Sequence, residues 1–116
     1  MQDYKKLKVW EYSHQLTISI YKLTKFFPKE DLFALTSQLR RASSSIPANI
    51  AEGCGRRTQA DFTKFLNIAL GSANETSYFI LLAKDIDYIK EEDFLKYDDE
   101  IERIKAMLIS LISKTK

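Results

Sequence analysis

Few residues in this chain are of the kind that does chemistry. The string EYSH sets Glu11 and His14 three apart, the spacing of a di-iron helical bundle, but such a centre takes two Glu-x-x-His pairs and two further carboxylates. His14 is the only histidine, so that site cannot be completed. Cys54 is the only cysteine, which excludes an intrachain disulfide or a thiolate metal cluster and suits a reducing compartment. A Cys–His nucleophile pair would need the two side by side, whereas the helical rise carries His14 about 12 Å away from the pole to which Cys54 belongs. Gly53-Cys54-Gly55 reads as a helix exit, not as a phosphate loop. No catalytic residue, cofactor or metal is expected. What remains is cationic: Lys5, Lys6, Lys8, Arg56, Arg57, Lys114 and Lys116 form a phosphate-attracting set if the fold gathers them.

The elements that would do the gathering are helices. A chain of 116 residues predicts one domain spanning 1–116. Three glycines and two prolines are too few for the turns of a sandwich or barrel. From Lys6 to Phe27, residues Trp10, Ser13, Leu16, Ile20, Leu23 and Phe27 recur at threes and fours on one face, and Pro28 ends the run. Asp31 then stands as an N-cap before a second stripe of Leu32, Leu35, Leu39, Ala42, Ile46 and Ile50, with Gly53 and Gly55 as the stop. Thr58 and Asp61 form a capping-box-like pair ahead of a third helix that runs to about Tyr88. Its second half, SYFILLA, is apolar on every side, and includes Tyr78 and Phe79. A helix apolar all round must be covered all round, so a second subunit is expected there. Small residues in ALGSA (69–73) predict a close helix contact. The fourth helix, about Glu92 to Ser113, opens on an acidic turn that suits the helix dipole. Four such helices with short connections predict an all-α, up-down-up-down antiparallel bundle.

Pro47 lies inside the second stripe. A proline there removes one hydrogen bond and crowds the carbonyl of Ser43, costing roughly 3 kcal/mol in an isolated helix. The apolar phase nevertheless passes through it without a slip. One reading is a single helix kinked at Pro47, with Ser43, Ser44 and Ser45 bonding back to the freed carbonyls. The other makes Ser45 an N-cap and starts a new helix with Pro47 in its first turn. Asn49 and Glu52 read as partners for helix-end groups left open by the kink and by Gly53.

No apolar run approaches the roughly 20 residues of a membrane span, and MQDYKKLKVW lacks the apolar core of a signal peptide, so a cytoplasmic protein with no membrane partner is expected. The net charge of +2 hides an asymmetry of +5 in residues 1–57 and −3 in 58–116. In an antiparallel bundle the seven cations named above share one pole, while Asp85, Asp87, Glu91, Glu92 and Asp93 share the other. Packed side by side around a ring, such poles would present one cationic face to RNA or DNA. The plainer account is that lysines near helix C-termini answer the dipole and solubilise the ends. Arg41 should lie beside about residue 71 and reach Glu75, an ion pair within the bundle or between subunits, with phosphate contact as the alternative.

The strings QLRRASSSIPANIAEGCGR (38–56) and FLNIALGSANET (65–76) resemble the signature of a bacterial family, the four-helix-bundle proteins associated with intervening sequences of 23S ribosomal RNA genes. The resemblance covers about residues 6 to 112. The chain departs from the pattern at Ser43 and Ser44, where small apolar residues often stand, and at Cys54. The resemblance implies a left-handed bundle assembled as a homopentameric ring with no accepted catalytic residues. A similar pentameric bundle is the accessory subunit of diversity-generating retroelement reverse transcriptases, which implies a nucleic-acid partner or a partner enzyme. A protein-docking scaffold would use exposed aromatics such as Tyr4, Tyr12 or Tyr88.

Overall fold

The computed structural model describes residues 2–115. Four helices carry the fold: α1 (Lys8–Thr24), α2 (Ser37–Cys54), α3 (Gln59–Asp85) and α4 (Glu91–Thr115). They form a rod 43 Å long and 24 by 19 Å across. Each helix buries the stripe its periodicity announced. Leu16, Ile20, Leu39, Ile46, Ile50, Leu66, Ile80, Ile101, Ile104 and Leu108 are all almost wholly buried. Closing that apolar surface from water is the main force holding four amphipathic rods together.

Cross-helix bonds show that neighbours run in opposite directions. The backbone N–H of Gln2 reaches the Cys54 carbonyl at 3.0 Å, while Arg40 Nε donates to Thr24 Oγ1 at 2.8 Å further along the same pair of elements. Arg41 Nη2 meets Glu75 at 2.7 Å between α2 and α3. Thr63 and Thr115 join the start of α3 to the end of α4 at 2.6 Å, and Lys84 meets Glu91 at 3.4 Å at the other end of that pair. Tyr97 on α4 donates to the Ser19 carbonyl of α1 at 3.3 Å. The ends of α2 and α4 therefore lie with the starts of α1 and α3.

Pro47 sits inside an unbroken α2, buried. Continuity at this position has a tertiary cause. The Ser43 carbonyl, deprived of a donor at position 47, lies 3.0 Å from the Thr17 hydroxyl, which also lies 2.8 Å from the Ser13 carbonyl and shares its one hydrogen between them. The repair comes from α1, not from the serines. Ser43 and Ser44 instead donate to the Arg40 and Arg41 carbonyls, each at 3.2 Å, and Ser45 bonds to Ser72 of α3. Asn49 Nδ2 adds a second donor to the Ser45 carbonyl at 2.7 Å.

The departure from helical geometry falls earlier, where the apolar pattern gave no warning. A 3₁₀ turn (Lys29–Asp31) leads into a π-helical turn (Leu32–Thr36), and Ala34 takes φ −118° and ψ −106°, outside the helical region. Regular α-helix begins only at Ser37, not at Leu32. Asp31 caps nothing with its side chain, which instead accepts from the Tyr88 hydroxyl across the bundle.

Two glycines also act differently from expectation. Gly53 is not the stop of α2 but a buried position within it. A Cβ there would lie 3.0 Å from Phe65 Cβ and 3.3 Å from the Phe62 carbonyl oxygen, so the missing side chain is what lets α2 and α3 approach. Gly55 is the C-cap. In ALGSA, Ala69 and Ala73 make the close helix contact, whereas Gly71 faces open space with nothing near it. At the start of α3, the Thr58 hydroxyl accepts from the Asp61 N–H at 3.1 Å. No helix among the described residues is long and apolar enough to cross a membrane.

A charged pole as the candidate interface

At the pole where the chain begins, the fold collects cations from four elements. Lys5 and Lys6 belong to a 3₁₀ turn (Tyr4–Lys6) in which the Asp3 side chain accepts from the Lys5 N–H, and Lys8 opens α1. Lys8 and Lys114 line one open groove between α1 and α4, floored by Leu7, Val9 and Leu111. Arg56 and Arg57 line a second cleft together with Gln2 and Gln59. All six cations are exposed. The seventh expected member, Lys116, lies outside the described residues.

The surroundings grade these charges. Arg56 donates to Glu52 at 2.9 Å one turn back and lies 4.7 Å over the Phe65 ring, so it is held and half neutralised. Glu52 thus serves Arg56 and no helix end. Among the described residues no carboxylate comes within salt-bridge distance of Lys5, Lys6, Lys8, Arg57 or Lys114. Exposed pairs of this kind contribute little to stability, and Lys114 in the last turn of α4 also answers the helix dipole. At the other pole Asp85, Asp87, Glu91 and Glu92 are exposed around the α3–α4 turn, where Asp87 takes a positive φ of 66°.

Of the nucleophile candidates, one packs on an aromatic ring and the other is buried. His14 stacks on Trp10 with ring centroids 4.8 Å apart and planes 11° apart, and Glu11 faces solvent. Cys54 is buried at the cationic pole, and burial, reinforced by the Asp3 charge, pushes its thiol pKa up. A raised thiol pKa keeps the sulfur protonated at neutral pH and inert. On α4, burial pushes the Tyr97 pKa up in the same way, with Glu100 and Asp93 adding to it.

The remaining expected site residues divide by location. Arg41 and Glu75 form a surface ion pair within one chain, and Gln38 shares the Arg41 guanidinium at 3.1 Å. Tyr78 is 56% exposed and Leu81 is 40% exposed, while Phe79 and Leu82 are half-buried, so the bundle itself covers only part of the apolar half of α3. Of the tyrosines expected to be free for docking, only Tyr12 is exposed. Tyr4 packs edge-on against Trp10, and Tyr88 against Phe27. The two most exposed aromatics, Phe26 and Phe33 at 88% and 92%, escaped the sequence reading. Their signal was negative: Phe33 stands off the phase of Leu32, Leu35 and Leu39.

Fold and pole together define an antiparallel four-helix bundle with charge separated along its axis. The profile of the 23S rRNA-intervening sequence protein family matches residues 5–110, and the chain belongs to that family. A solved structure from Bacteroides thetaiotaomicron, described as a protein with unknown function from the S23 ribosomal protein family, is 36% identical over 90% of this chain and 95% of its own, with a TM-score of 0.84. Among curated proteins none matches this chain.

Proposed function

We propose that the chain is a non-catalytic subunit of a homo-oligomeric ring, a pentamer, that binds structured RNA or DNA through its cationic pole. The supporting observation is the gathering of Lys5, Lys6, Lys8, Arg56, Arg57 and Lys114 from four separate elements, five of them without a carboxylate partner. A ring of such poles multiplies a field that one subunit holds only weakly, given a net charge of +2. Tyr78 and Leu81 on α3, with Leu95 and Ile109 on α4, are the apolar positions that neighbouring subunits would cover, since each is at least 40% exposed. Gly53 supports this reading indirectly, by letting α2 and α3 approach.

Backbone recognition predicts affinity that falls steeply with salt and depends little on sequence. The double substitution Arg56→Glu, Arg57→Glu should weaken binding of a duplex RNA and flatten its log–log salt slope by roughly two. Unchanged affinity in that variant would sink the assigned surface. Native mass measurement tests the ring, and a monomer would remove it.

A second reading has specific support in the exposed Tyr12 and Tyr78, which suit a scaffold that docks a partner enzyme such as a reverse transcriptase. Stoichiometric retention of one protein after nuclease treatment, lost in Tyr12→Ala or Tyr78→Ala, favours it over nucleic-acid binding.

A further inference from the structure

Of the four seams between neighbouring helices, the one between α1 and α4 is the least closed. The Tyr97 bond to the Ser19 carbonyl is the only hydrogen bond or ion pair that crosses it among the described residues. The cause lies in the chain ahead of α1. That segment turns away towards α2, where the Gln2 N–H meets the Cys54 carbonyl, so the last turns of α4 stay uncovered on the α1 side. What results is a groove of two clefts that meet at Arg103. The larger, of about 420 Å³, is floored by Leu7, Val9, Met107 and Leu111. Lys8, Arg103 and Lys114 stand along it, and no carboxylate lines it. Among the described residues Lys8 and Lys114 have no carboxylate within salt-bridge distance, and Arg103 has only Asp99 of its own helix, at 3.5 Å. The smaller cleft adds one acidic residue, Glu100.

A second face of α4 has the opposite character. Leu95, Asp98, Glu102 and Ile109 recur at threes, fours and sevens, which sets them on another side of the helix from the groove-lining Arg103, Met107, Ser110 and Lys114. Leu95 and Ile109 are 56% and 55% exposed. Asp98 has no cation within salt-bridge distance among the described residues, and Glu102 holds only Lys105 on its own helix, at 3.2 Å. An exposed pair of that kind exchanges partners at little cost. The stripe from Leu95 to Ile109 and the groove from Glu100 to Lys114 each span about 21 Å of helix. One surface is apolar with carboxylates, and the other is apolar with cations.

We infer that a second copy of this chain docks here: the outer face of one copy's α4 enters the α1–α4 groove of the next, Ile109 on the apolar floor and the Asp98 and Glu102 carboxylates towards its cations. The inference rests on the ring reading above and names the contact that builds the ring. Groove and stripe lie on different faces of one helix, so the contact is heterologous. A bound pair still has one groove and one stripe free, and further copies add until the ring closes. Lys8 and Lys114 then lie between subunits, which leaves Lys5, Lys6, Arg56 and Arg57 open at the pole.

Two substitutions at exposed positions test this, with helical circular dichroism as the check on folding. Ile109→Glu spoils the stripe, and Ser110→Glu sets a carboxylate in the groove. By native mass measurement each variant alone should be a monomer where the unchanged protein assembles. Mixed, they should form a one-to-one dimer and nothing larger, because Ser110→Glu keeps an intact stripe and Ile109→Glu an intact groove. An interface that uses the same face of both copies cannot give that result. Assembly that survives both substitutions but is lost in Tyr78→Glu hands the contact to α3, and so overturns the inference while the ring stands. Variants that stay monomeric on mixing overturn it as well. A monomer for the unchanged protein removes the inference and the ring together.

Discussion

Pro47 and the Ala34–Thr36 turn are two irregularities on one segment, and they have opposite histories. Pro47 advertises a break and none occurs, because a threonine on the neighbouring helix supplies the missing donor and the proline ring is buried. The Ala34–Thr36 turn advertises nothing, yet Ala34 leaves the helical region and the buried Thr36 hydroxyl is left unpaired among the described residues. A backbone defect is structural once its polar groups find tertiary partners. Where a polar group stays orphaned in the interior, its desolvation cost stays in the folded state.

The same substitution at two buried threonines should therefore have opposite signs. Thr17→Val removes the donor shared by the Ser43 carbonyl and should destabilise by about 1–3 kcal/mol, measured by chemical denaturation. The penalty should shrink in a Pro47→Ala background, where position 47 regains an N–H; an unchanged penalty would mean that Thr17 does not mend the proline. Thr36→Val removes an orphan and should stabilise by about 1 kcal/mol. Equal destabilisation at both sites would erase the contrast. The smallest effect is at exposed Ala48 inside regular α2, where Ala48→Gly should cost about 0.5–1 kcal/mol by the same measurement.

Particular residues show how much was legible in advance. The registers of Ile46, Ile50, Leu66 and Ile104 were readable because an amphipathic stripe is a local property of spacing. So was the reach of Arg41 to Glu75, which follows from counting back from the α2–α3 turn in an antiparallel pair. Gly53 was misread as a helix stop because a glycine that ends a helix and one that admits a neighbouring backbone are identical in sequence. The cationic cluster was expected in outline, but the pairing of Glu52 with Arg56 rather than with Arg57 beside it depends on side-chain geometry.

Spacing and composition alone determined that this protein is four helices with buried faces, and its signature strings carried the family. Both are written within short windows of chain, where the helical period and the residue types act together. Which irregularity would be healed was decided only in three dimensions. The donor for Ser43 comes from Thr17 on another helix, and the Thr36 hydroxyl is left without a partner in the packed interior. Hydrogen-bond satisfaction is a property of the assembled packing, so it becomes visible only when the helices meet.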